Sequence, residues 1–229
     1  MIEPLLSLFA PMLLGAQIIL TLVLTKGEIC PGQRGRVHKL LPIVGVLWLA
    51  IAFVNLTSLV VAAPIFYFFS KVQIKKTRDK GPTWVLYIAD ALALVFVIKQ
   101  LSLFSSLFAS IGWVCFVSLL GAIFANLLLL IARSRLDAFH KILPVVGIIS
   151  GMILAILVAL QVGALSDHLM SMLQSNVLLG LALLVVGLLI WPLHMMTRQS
   201  ISKIQLSMAL MALLLAGAEL YPLFLLSSV

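Results

Sequence analysis

The chain has 229 residues, 63% of them apolar and only 10% charged, with a mean hydropathy of +1.26. Ordinary soluble domains hold roughly 45 to 50% apolar and about 25% charged residues, so a soluble enzyme, a disordered chain and a secreted disulfide scaffold are excluded, and an all-α polytopic membrane protein is implied. The formal net charge of +8 does not point to nucleic acid, because the basic residues lie in short segments between apolar runs, where the positive-inside bias and anionic headgroups account for them.

A spanning helix takes about 20 apolar residues, and seven runs meet that length: 4–25, 40–69, 83–101, 104–132, 142–165, 175–196 and 204–227. The first follows Met1-Ile2-Glu3-Pro4, with no basic stretch or small-residue cleavage site, and reads as a retained helix. The second is too long for one upright span and too short for two. It reads as a tilted or broken helix bending at Asn55 or Pro64, with a re-entrant hairpin as the alternative. The third carries Asp90 among small residues and has Lys99 near its end, placed to snorkel toward headgroups. The seventh carries Glu219 in Ala216-Gly217-Ala218-Glu219-Leu220-Tyr221-Pro222. Trp84, Trp113, Trp191, Tyr67 and Tyr221 fall near span ends and read as interface anchors. Cys30 and Cys115 lie in different environments without metal-ligand spacing, so no disulfide is expected.

The segments 71–81, 132–141 and 197–203 together hold ten Lys or Arg, against four in 26–39 and none in 166–174. Seven spans starting inside place the three richer segments on the cytoplasmic face, with the N-terminus cytoplasmic, a pattern suited to a bacterial inner membrane. Segment 26–39 is then an anomaly, which the re-entrant alternative removes by placing it inside as well.

An internal repeat organises the chain. His38-Lys39-Leu40-Leu41-Pro42-Ile43-Val44-Gly45 recurs as His140-Lys141-Ile142-Leu143-Pro144-Val145-Val146-Gly147, and Ser7-Leu8-Phe9-Ala10 recurs as Ser106-Leu107-Phe108-Ala109 at nearly the same offset. Apolar composition does not repeat His, Lys, Pro and Gly for free. Residues 1–103 therefore read as a first three-helix repeat, 104–203 as a second and 204–229 as a C-terminal span, within one membrane domain. Three spans separate the copies, so the repeats would be inverted, as in many secondary transporters; the re-entrant alternative would make them parallel. In each octapeptide Pro suits a first helical turn and Gly lets another element approach.

A charge inside a span costs roughly 2.5 to 3.5 kcal/mol on insertion scales, so Asp90 and Glu219 are expected to face the bundle interior as proton- or cation-coupling candidates. Asn55, Thr57 and Ser58 near a helix break, and Gln161, are the uncharged candidates for lining a substrate path. Gln17 and Asn126 read as interhelical glue. No GxSxG, HExxH, CxxC or P-loop is present, and no catalytic constellation emerges.

The function read from these features is an integral membrane permease, or an ion- or proton-coupled transporter of a small solute, with a site between the repeats and no cofactor. One alternative is a structural or accessory subunit of a larger membrane complex, with a homo-oligomer or another membrane protein as partner beside the lipid bilayer. The other is a b-type haem electron-transfer protein, with His38 and His168 on one face and His140 and His194 on the other as ligand pairs. Nucleic acid is not expected as a partner.

Overall fold

The computed structural model describes residues 2–74, 80–104, 106–133, 136–197 and 200–226. Their elements run α1 (Ile2–Lys26), α2 (Pro31–His38), α3 (Leu41–Ile51), a 3-10 turn (Leu56–Ser58), α4 (Leu59–Ile74), α5 (Thr83–Leu101), α6 (Leu107–Ile131), α7 (Asp137–Gly163), α8 (Asp167–Ile190), α9 (Leu193–Thr197) and α10 (Lys203–Leu226). No strand occurs among the described residues. Helix satisfies every backbone group within one segment, which hydrocarbon demands. Among the described residues, α1, α5, α6, α7, α8 and α10 are long and apolar enough to cross a membrane.

Small residues set the packing. On α1 and α6 the backbones nearly touch: a Cβ on Gly121 would lie 2.5 Å from the Gly15 Cα. Such an approach is open only to glycine. On α8, Gly180 and Gly187 lie two turns apart on one stripe, and Leu220 and Leu213 of α10 seat over them, 2.7 Å from where each Cβ would be. Gly112 and Gly217 serve α6 and α10 in the same way, beneath Phe224 and Leu8. The order of these pairs fixes directions: α1 runs parallel to α6, and α10 antiparallel to both α6 and α8. Helix α7 is antiparallel to α6, since His140 meets Asn126 and Ser150 meets Ser118.

The run 40–69 is where structure and expectation part. It is two helices folded back on each other, joined at 52–58. The Ser58 hydroxyl donates to the Trp48 carbonyl at 3.0 Å, the Phe66 ring covers Gly45, and His38 meets Phe68 edge-on at 5.4 Å. Partners whose numbers rise on one arm as they fall on the other define an antiparallel hairpin. The bend comes at Asn55, whose Oδ1 accepts from the Thr57 amide at 3.1 Å and the Thr57 hydroxyl at 2.7 Å. Pro64 lies inside an unbroken α4.

The run 40–69 is thus the re-entrant hairpin of the alternative reading, and six helices among the described residues, instead of seven, are long and apolar enough to cross a membrane. A hairpin returns the chain to the end it left, so the two octapeptide segments both begin at that end and point the same way. In each copy the glycine receives an aromatic ring, Phe66 on Gly45 and Trp191 on Gly147. The local structure nevertheless differs. Pro42 lies in the first turn of α3, whereas Pro144 lies inside α7, which starts earlier and is tied to α6 through His140. The described basic residues Lys26, Arg34, Arg36, Lys39, Lys71, Lys80, Arg133, Lys141 and Lys203 gather at one end of the bundle, with Lys99 at the other. Lys75, Lys76, Arg78, Arg135 and Arg198, counted in the loop-charge argument, lie outside the described residues.

Candidate functional site

The residues singled out from sequence do not meet at one midplane site. Asp90, on α5, is partly buried where α5 packs on α1, and accepts a hydrogen bond from Gln17 Nε2 at 2.9 Å. The Thr21 hydroxyl, one turn further along α1, donates to the same carboxylate. Gln17 is 2% exposed, and its Oε1 accepts from Trp48 Nε1 at 3.0 Å. One amide thus ties the Asp90 carboxylate to the first arm of the hairpin. Trp48 is fully buried and meets Phe96 of α5 edge-on at 5.5 Å, which fixes its indole over the junction. From sequence alone Gln17 reads as packing glue, and nothing marks Thr21 or Trp48. The signal available was that a buried carboxylate needs donors on a facing helix, but the facing helix was unknown.

Glu219 lies in a different seam, accepting from Asn176 Nδ2 of α8 at 2.7 Å. Gln161 is 2% exposed near the end of α7, which packs on α6, and so does not join Asp90. Asn55, Thr57 and Ser58 lie at the hairpin turn, where the Asn55 Oδ1, the Thr57 amide and hydroxyl and the Ser58 hydroxyl bond within 48–58.

The histidine pairing changes as well. His38, His140 and His194 lie toward the basic end and His168 at the opposite one, so His38 and His168 do not share a face. His140 Nδ1 is 2.6 Å from Asn126 Oδ1, and His194 Nδ1 is 3.0 Å from the Trp191 carbonyl. His38 is 2% exposed, with neither ring nitrogen hydrogen-bonded. Burial, assisted by the neighbouring Arg34 guanidinium, lowers its pKa to about 4 and keeps the ring neutral. No group of three or more metal-ligating side chains occurs among the described residues.

Two cavities are lined by described residues. One, of about 170 Å³, opens at the end opposite the basic loops, where the hairpin tip meets the start of α1 and the ends of α5 and α10; Glu3, Ser7, Asn55, Gln100, Trp113 and Tyr221 supply its polar lining. Trp113, expected at a lipid interface, is 2% exposed and packs against Phe104, Phe116 and Tyr221. Trp191 is likewise buried, whereas Trp84 and Tyr67 are exposed as interface anchors would be. The other cavity, about 150 Å³, is an apolar slot between α4 and α5 with Thr57 and Lys99 at its edge.

A protein-family profile described as an integral membrane domain matches residues 2–226. An uncharacterized protein of Haemophilus influenzae is 34% identical over 147 residues, which cover 58% of this chain and 54% of the relative. The match therefore spans about half the length of that curated relative. No solved structure matches the chain.

Proposed function

This chain belongs to the family of integral membrane domains, and from that premise we propose that it is a small permease in which Asp90 binds a proton or monovalent cation and passes the change to the α3–α4 hairpin. One observation carries the reading: Gln17 donates to Asp90 and accepts from Trp48, so the two ends of a single amide link an ionisable group at membrane depth to an element that folds back on itself. Ionisable residues inside spans are rare, face the bundle interior and mark ion pathways and proton relays. Protonation of the carboxylate, or a cation placed on it, takes the charge assistance from the hydrogen bond that holds the Gln17 amide, and the weaker bond loosens its grip on the hairpin.

The charge distribution supports the basic end as the cytoplasmic one, in a bacterial inner membrane. That orientation puts the start of α1 and the end of α10 on the outer side; seven spans implied the opposite side for the start of α1 and the same side for the end of α10. The test uses everted membrane vesicles energised by respiration, with the proton gradient followed by acridine orange. Addition of Na⁺, K⁺, Li⁺ or small neutral solutes is compared with vesicles lacking the protein. The expected result is dequenching by at least one of them with the wild-type chain and loss of that response in Asp90→Asn. A response equal in Asp90→Asn and wild type, or none beyond the empty vesicles, would overturn the reading.

A further inference from the structure

We infer that the cavity at the end opposite the basic loops binds a small organic ammonium ion, an amino alcohol of about the size of ethanolamine. The sign of the charge comes first. Glu3 is the one carboxylate among the described lining residues, and no Lys, Arg or His is among them. Lys99, the cation nearest in sequence to Gln100, borders the separate slot between α4 and α5. An anion entering the cavity would meet a carboxylate with no cationic side chain among the described lining residues, whereas a cation would be attracted.

The walls then select an organic cation. Trp113 stands between Phe104 and Tyr221, with ring centroids at 5.3 and 5.9 Å, so aromatic surface backs the site. Aromatic rings attract ammonium groups, most strongly where water is excluded. Two polar atoms here are buried without a hydrogen-bond partner, the Gln100 Oε1 acceptor and the Trp113 Nε1 donor. A buried unpaired polar atom costs about 1 to 3 kcal/mol, and a ligand that supplies both partners recovers that cost. An ammonium N–H satisfies Gln100, and a hydroxyl oxygen on the same molecule accepts from Trp113. A tetra-alkylammonium ion has no N–H for Gln100, and an apolar ligand answers neither atom. The Ser7 hydroxyl does not compete, since it donates to the Glu3 carbonyl within its own helix. A volume of about 170 Å³ suits a ligand of a few heavy atoms with accompanying water.

The site stands on this geometry alone, and its link to transport rests on the carrier reading. Helix α3 carries Trp48, bonded to the Gln17–Asp90 pair, and one turn later Ile51, which lines the cavity. Occupancy of the cavity and of Asp90 would thus act on the same short helix.

The test is tryptophan emission of the full chain in nanodiscs, titrated separately with ethanolamine hydrochloride, ethylene glycol and sodium glycolate. Saturable change with ethanolamine and none with the neutral or anionic analogue is expected. Glu3→Gln should weaken that binding roughly tenfold or more, and Gln100→Leu, which preserves bulk, should weaken it several-fold. Trp113→Phe should abolish the emission change, which assigns the signal to this cavity. Equal response to ethylene glycol or glycolate, an unchanged ethanolamine affinity in Glu3→Gln, or no saturable binding at all would overturn the proposal. Saturable binding without Asp90-dependent flux in vesicles would leave this site standing and remove the carrier reading; flux without binding would do the reverse.

Discussion

His38 shows how a single side chain can tie stability to pH. It is buried edge-on to Phe68 with both nitrogens unpaired, and its pKa falls from 6.5 to about 4 through burial first and the Arg34 charge second. The unfolded chain therefore takes up a proton at a pH where the folded chain still refuses one. Stability is full above pH 6.5 and declines as pH falls from there toward 4, by at most about 3.5 kcal/mol at about 1.4 kcal/mol per pH unit. Thermal unfolding in detergent should show this decline in wild type and a flatter profile in His38→Leu; an unchanged slope in the variant would assign the dependence to another group. Gln17 offers a second residue-level test. Gln17→Leu strips a donor from Asp90 and an acceptor from Trp48 and should cost about 1 to 3 kcal/mol. Adding Asp90→Leu should cost less than its single effect, because the two share one interaction; strict additivity in unfolding midpoints would show that the pair is not coupled.

Among the helices, the seam between α8 and α10 makes the sharpest claim. Gly187 gives Leu213 its seat, and a Cβ there would fall 2.7 Å from the leucine. Gly187→Val should destabilise the fold by about 1 to 3 kcal/mol through overpacking, and Leu213→Ala in the same chain should restore part of the loss. Gly163→Ala, at a position with nothing within 4 Å of the new Cβ, serves as the neutral control. If Gly187→Val and Gly163→Ala melt alike, the seam is not packed as described. These elements also show what the sequence makes legible. Six spans follow from run length and composition, because hydrocarbon leaves the backbone no other choice. The hairpin does not, since 40–69 is apolar throughout and its fold depends on contacts between distant residues, Phe66 on Gly45 and Ser58 on the Trp48 carbonyl. The same limit hid the donors to Asp90. Glu219 is legible from sequence as a carboxylate at membrane depth, yet its partner Asn176 depends on the pairing of α8 with α10, which leaves the carboxylate half-buried.

For the molecule as a whole, the hairpin decides the topology, and charge gives an independent argument for it. With one crossing between residues 40 and 69, Lys26, Arg34, Arg36 and Lys39 fall on the face opposite the other basic loops, against the tendency of Lys and Arg to stay in the cytoplasm. With a hairpin they rejoin those loops, and Lys99 alone among the described basic residues is left at the other end. A fold assembled from side-chain packing and a charge rule that knows nothing of packing thus agree on parity. The exposed thiol of Cys30 discriminates between the two arrangements without any substitution, because Cys115 is buried. In intact cells a membrane-impermeant maleimide should leave Cys30 unmodified until the membrane is permeabilised, and Lys80→Cys in a Cys30→Ser chain should behave the same way. Ser166→Cys, in the loop between α7 and α8, should react from outside in intact cells. Both arrangements agree on positions 80 and 166, so modification of Cys30 from outside would restore the single crossing, make the repeats inverted, and detach Trp48 from the hairpin on which the coupling reading depends.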